Sequence, residues 1–321
     1  MFQVKVCFFV LMNSIPYKAK QFLLVLVKLL IVGSAIYYLY AELSKKNLND
    51  WQLVSTKFTF FSLVGIVFLS VLNWFFEILK WQNLVNTFYK ISLKEATVQS
   101  LGSLTASIFT PNRVGEYGAK MLYFPKSETK KIILLNFISN SSQMATTLFF
   151  GVVGLMITGL FYDYFSYKIA LFLFIILLLF SLFIIFGKKI IIYGFSVEKL
   201  IQKIKSFPRN SLKTTQQLSV IRFLIFSHQF YFLLVIFGVE ITYSLALATI
   251  FSMYFLASIV PSIHLMDVAI KGSVAFILFG KLGVNQWTIV SITTLMWFLN
   301  LVIPVLIGSL FVLKFKPKLE L

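Results

Sequence analysis

The sequence is short of the residues from which water-soluble chemistry is built. It holds one cysteine, Cys7, in 321 residues, which excludes an intramolecular disulfide and a thiolate metal cluster. Two histidines argue against a His-built metal site. Charged residues make up 12% of the chain, against roughly 25% in a soluble domain. No Walker loop, dinucleotide fingerprint, nucleophile motif or metal-ligand spacing occurs, so neither an enzyme nor a metal or other cofactor is expected. What fills the space is apolar: 59% of residues are hydrophobic, with 37 phenylalanines. A soluble core could not enclose that much apolar surface, whereas a bilayer can.

Acidic residues are scarce as well. Eleven stand against 29 basic ones, a formal charge of +18. In a soluble chain this would suggest nucleic acid, but no recognition motif accompanies the charge, and nucleic acid is not expected as a partner. Positive-inside orientation and an anionic lipid surface account for it instead.

A spanning helix needs about 20 apolar residues. Six stretches qualify: residues 22–41, 58–79, 132–160, 167–187, 218–239 and 287–313. The apolar stretch 6–12 is too short to span, and no signal-peptide cleavage site follows it. Two further apolar regions are interrupted, 92–124 by Pro111 and 244–283 by Pro261. Proline removes a backbone donor and disfavours helix in the residue before it. Each region therefore reads as two short helices that enter the membrane and return on the same side.

Charge orients these pieces. Between Lys188 and Arg222 lie eight basic residues and one acid, Glu198, which marks a cytoplasmic loop. The C-terminal Lys314, Lys316 and Lys318 are expected in the cytoplasm too. The first broken region has lysines at both ends, Lys90 and Lys94 before it and Lys126, Lys130 and Lys131 after it, and fits entry from inside. The second, between Glu240 and Lys281, fits entry from outside. The expected fold is an all-α polytopic membrane protein of about six full spans plus two Pro-broken re-entrant hairpins arranged as inverted repeats. It forms a single transmembrane domain over 1–321, with a first repeat at about 58–160, a basic cytoplasmic loop at about 188–217 and a second repeat at about 218–313.

The densest polar cluster follows the first break: Thr110, Pro111, Asn112, Arg113, Gly115, Glu116 and Lys120. Helical spacing pairs Glu116 with Arg113 (i, i+3) and with Lys120 (i, i+4). Ionisable groups at membrane depth are costly unless paired or hydrated, and this set has one positive charge to spare. An arginine, a lysine and a helix start together suit a phosphate. Gly115 and Gly118 allow close helix approach. The second break offers Pro261, His264, Asp267 and Lys271, with one helical turn between successive polar residues. His264 is read either as a proton-responsive group or as a structural one. Asn73, Glu77, His228 and the run Asn136 to Gln143 are also polar positions inside apolar stretches.

The heptapeptide from Thr110 to Glu116 resembles the signature of the lysylphosphatidylglycerol synthase transmembrane-region family, also called flippase-like proteins. That family carries a Thr-Pro-Gly-Arg-hydrophobic-Gly-Glu element in its first half. In its second half lies a Pro- and Gly-rich element ending in an acidic residue, where Pro261 and Asp267 stand here. The chain departs from the pattern at Asn112, where glycine is common, and at Ile263 to Met266. The resemblance implies movement of a phospholipid or lipid-linked substrate between leaflets of the cell membrane. No synthase domain is expected in this chain, so a separate lipid-modifying enzyme is the implied partner. Anionic phosphate head groups at the two breaks are the expected ligands. The alternatives are a membrane-bound transferase acting on lipid-linked substrates and a non-transporting scaffold for a lipid-modifying enzyme.

Overall fold

A computed structural model describes residues 58–110, 113–161, 191–192, 195–260 and 267–315, with isolated helical positions at Leu26, Leu30, Leu171 and Ile175. These residues are overwhelmingly helical. In chain order they form α1 (Phe60–Val85), α2 (Leu93–Ser107), α3 (Val114–Met121), a 3₁₀ turn (Lys126–Glu128) and α4 (Thr129–Phe161). A two-residue antiparallel ladder, Ile191–Ile192 with Phe195–Ser196, comes next. The rest are α5 (Val197–Lys205), α6 (Arg209–Ile236), α7 (Tyr243–Ile259), α8 (Asp267–Lys281), α9 (Gln286–Trp297), a π-helical turn (Phe298–Val302) and α10 (Ile303–Lys314).

Four helical runs are long and apolar enough to cross a membrane: Phe60–Val85, Lys126–Gly159, Arg209–Ile236 and Gln286–Lys314. They coincide with four of the six expected spans. The other two, 22–41 and 167–187, lie outside the described residues apart from the isolated positions above. Both interrupted regions are split into two helices as the prolines predict, α2 with α3 and α7 with α8. Pro111, Asn112, Pro261 and His264 themselves lie outside the described residues.

Helix α1 shows why these helices belong in lipid. Phe61, Val64, Phe68, Val71 and Phe75 recur at helical spacing and are all exposed, Phe61 by 83%. The opposite stripe is polar and buried: Ser70, Asn73, Glu77 and Lys80, the last exposed by only 1%. This is a soluble helix turned inside out. In water such an apolar face would be a large sticky patch; in hydrocarbon it is solvated, and the polar stripe must find its partners inward. The helix starts at a capping box in which Thr59 and Ser62 exchange backbone-to-hydroxyl bonds of 2.9 and 3.2 Å. A second box, Ser92 with Glu95, starts α2.

The helices pack in pairs: α1 on α6, α2 on α10, α4 on α7. The first pair is antiparallel. Along α1 and α6, Asn83 bonds Ser211, Arg222 meets Glu77, and Gln229 reaches Ser70 in reverse order. Small residues bring the other two pairs to backbone contact. A Cβ on Gly308 of α10 would collide with the Leu101 carbonyl of α2, and one on Gly154 of α4 with the Ala248 carbonyl of α7. Thr105 adds a 3.0 Å hydrogen bond to the Val305 carbonyl. Apolar clusters fill the rest, one around Phe223, Phe230 and Phe279 and one around Trp81, Leu84 and Ile132. Leu200 and Ile204 of the amphipathic α5 pack against the second cluster. The segment expected as a basic loop is therefore largely helical: α5 begins at Val197 and α6 already at Arg209.

Candidate functional site

The first break is held by short-range chemistry. The Thr110 hydroxyl donates to the Ser107 carbonyl (2.7 Å) and accepts from the Gly115 amide (2.9 Å). This hydroxyl bridges the end of α2 to the start of α3. Gly115 is required for it, since a Cβ there would meet Thr110 Cγ2 at 2.7 Å and Oγ1 at 2.8 Å. Gly118, expected to permit helix approach, faces open space instead. Between Thr110 and Gly115, Arg113 takes φ 60°, the one positive φ among the described non-glycine residues. An L-residue adopts this region at a cost that surrounding structure must offset. Here the turn is fixed on both sides by Thr110, and Arg113 stands as the cap residue of α3.

Glu116 receives two cations, Lys120 Nζ at 2.7 Å and Arg113 Nε at 3.4 Å. The expectation that Lys120 holds a lipid phosphate needs correction. Its ammonium is enclosed by Glu116, by Asn136 Oδ1 at 2.9 Å and by the Trp81 ring 3.9 Å from its centroid, and its side chain is 1% exposed. It neutralises Glu116 from behind and is not among the described residues that line the central cavity. Arg113 differs: its Nε is tied to Glu116, and it forms part of a cavity wall.

That cavity, of about 600 Å³, is enclosed by residues from α1, α3, α4, α6, α7, α8, α9 and the π-helical turn. Arg222 enters it from α6. Its NH1 is 2.8 Å from Glu77 and 3.3 Å from Gln143 Oε1, and its Nε donates to Asn73 Oδ1 at 2.9 Å. Glu77 is shared with Lys80 at 2.8 Å. Asp267 and Lys271 complete the charged wall as an i, i+4 pair at 2.7 Å. The cavity thus unites Arg113 and Asp267 from the two breaks, 154 positions apart in a chain numbered 1 to 321. Apolar and aromatic side chains such as Trp74, Phe137, Phe226 and Trp297 make up most of the rest of its surface, with Asn140, Ser141, Thr147 and Thr293 among them.

Behind Arg222 lies a network set by the π-helical turn. Asn300 Oδ1 accepts from Ser70 (3.1 Å) and Asn73 (2.7 Å), and its Nδ2 donates to Gln229 Oε1 (2.9 Å). Pro304 has no N–H to give the Asn300 carbonyl four residues back. The Trp74 indole donates to that carbonyl at 3.0 Å instead. Single π-turns of this kind cluster at functional sites.

The sequence matches the family described as the lysylphosphatidylglycerol synthase transmembrane region over residues 25–308. The chain belongs to that family. No curated protein matches it. As a member of the lysylphosphatidylglycerol synthase transmembrane-region family with four described spanning helices, it is a multi-pass membrane protein. Thr110, Arg113, Gly115 and Glu116, the residues that carry the sequence resemblance, are those that build the turn and set a guanidinium in the cavity wall. Glu77, noted in the sequence as a polar position inside an apolar stretch, joins the site together with Lys80, Arg222 and Asn300, which were not expected there. The signal for Arg222 was its position inside a predicted span, where an ionisable residue is a site candidate by default; its nearness to a lysine-rich segment assigned it to the loop.

Proposed function

We propose that this protein translocates a lipid with an anionic phosphate head group between leaflets. The head group would occupy the central cavity while the acyl chains stay in the bilayer. The observation that carries this reading is the pair of arginines, Arg113 and Arg222, both anchored from behind by carboxylates and both part of the cavity wall. A guanidinium held this way is preorganised for bidentate phosphate binding. The apolar remainder of the wall suits the glycerol and first methylenes of a lipid.

Inverted repeats would supply the alternating access. Three features support them. The first arm of each interrupted region packs on the last span of the other half, α2 on α10 and α7 on α4. A glycine makes the closest approach in both cases. The second arms, α3 and α8, each carry an acid–lysine pair four residues apart at 2.7 Å. In this reading α2–α3 and α7–α8 are re-entrant hairpins entering from opposite faces, and residues 188–217 and the C-terminus are cytoplasmic. The role is transport without covalent chemistry, with a separate enzyme making the lipid.

The test is reconstitution into proteoliposomes with a fluorescent anionic phospholipid. Arg113→Ala and Glu116→Ala should each lower translocation at least tenfold with insertion intact. Normal translocation by a well-folded Arg113→Ala protein would remove the basis of this assignment.

A further inference from the structure

Among the described residues, the buried and half-buried charges around the cavity do not balance. Lys80, Arg113, Lys120 and Arg222 are four cations, and they share two carboxylates, Glu77 and Glu116. The Asp267–Lys271 pair is neutral in itself. Elsewhere among the described residues, Glu95, Glu198 and Glu240 are exposed, and Glu128 pairs with Lys131 at the surface. Among the described residues two positive charges are thus left over, on the half-buried arginines. An uncompensated buried charge is costly in low dielectric, so the loaded site calls for two negative charges.

The unused donors tell the same story in geometry. Arg222 spends Nε and NH1 on Asn73, Glu77 and Gln143 and makes no hydrogen bond through NH2 to a described residue. Arg113 ion-pairs through Nε alone among the described residues and makes no hydrogen bond to them through NH1 or NH2. Both arginines line the same cavity. Trp297, also on the wall and 6% exposed, has an indole N–H with no partner among the described residues. All of these are donors, and three of them are guanidinium nitrogens brought from two elements to one space.

We infer that the lipid carried by this site ends in a phosphomonoester, a terminal phosphate with three free oxygens, in preference to a phosphodiester head group. A phosphomonoester carries about −1.5 to −2 charge at pH 7, which matches the excess of two. A diester carries a single charge and two free oxygens, and would leave one cation and one guanidinium edge unmatched. The inference rests on the lipid-translocation reading and names the head group for it.

The experiment compares binding of dioleoyl phosphatidate with that of dioleoyl phosphatidylmethanol, which differs only by a methyl cap on one phosphate oxygen, to the purified full chain in nanodiscs. Soluble glycerol 3-phosphate serves as competitor. The expected result is at least tenfold tighter binding of phosphatidate, with weak competition. Arg222→Gln leaves Glu77 paired with Lys80, and Arg113→Gln leaves Glu116 paired with Lys120, so both variants should fold. Each should bring the two lipids to within threefold of each other. Equal affinity of the wild-type protein for both lipids overturns this inference and leaves the lipid reading standing. Binding of neither lipid overturns both. A preference that persists in both variants shows that the arginines do not read the phosphate and overturns the inference as drawn. Competition by glycerol 3-phosphate as strong as the lipid's own binding assigns the site to a water-soluble phosphomonoester and overturns the lipid assignment.

Discussion

At the scale of single residues, the first break is a sequence of mutual requirements. Thr110 needs the Gly115 amide, the close approach needs Gly115 to lack a side chain, and the positive φ of Arg113 depends on both. Gly115→Ala should therefore act as an overpacking mutation costing about 1–3 kcal/mol and should also re-aim Arg113. A fall in thermal midpoint in detergent together with weaker anionic-lipid binding is the expected pair of results. Unchanged lipid affinity would mean that the turn does not position the guanidinium. The pairing of Glu116 with Arg113 and Lys120 was legible in the sequence because helical spacing is local. The burial of Lys120 under Trp81 was not, because that contact crosses 39 positions between residues 81 and 120. For the same reason Lys120 was read as a ligand group when it is a counter-charge.

Elements carry a different kind of information. The four described spans follow from apolar length alone, and both interrupted regions break where proline demands it. Helix starts at Thr59 and Ser92 follow from capping chemistry. What length and capping do not reveal is rotation about the helix axis and the partner of each polar face. Arg222, Asn73 and Asn300 lie in three different helical elements, and only packing brings them together. The π-helical turn is the hub of that packing. Asn300→Leu would strand Asn73 Nδ2 and Gln229 Oε1, and each buried unsatisfied group costs about 1–3 kcal/mol. The expected outcome is a clear loss of stability, with anionic-lipid affinity several-fold lower as Asn73 loosens its hold on Arg222. Loss of stability with full affinity would confine the network to a packing role.

For the whole molecule, the decisive quantity is orientation. The inverted-repeat reading puts the segment at Lys126 and the segment at Glu240 on opposite faces of the membrane. Replacing Cys7 with serine gives a background free of thiols, since it is the chain's one cysteine. Single cysteines at positions 126 and 240 should then react with an impermeant reagent from opposite sides of intact cells and inverted vesicles. Labelling of both from the same side defeats the repeat. The expectation rests on charge, because basic segments flank one interrupted region and not the other.

The glycine contacts of α10 and α4 have a mechanical consequence. Where Gly308 meets the Leu101 carbonyl and Gly154 meets the Ala248 carbonyl, backbones touch with no side chain between them to act as a bearing. Such joints resist sliding. Helix α2 is thereby riveted to α10, and α7 to α4. The chain halves are cross-braced, each carrying a strut of the other. In the transport reading, a rocking motion that leaves these two joints closed divides the molecule along other lines than the sequence midpoint. Helices α3 and α8, which bear Glu116 with Lys120 and Asp267 with Lys271, take no part in either joint.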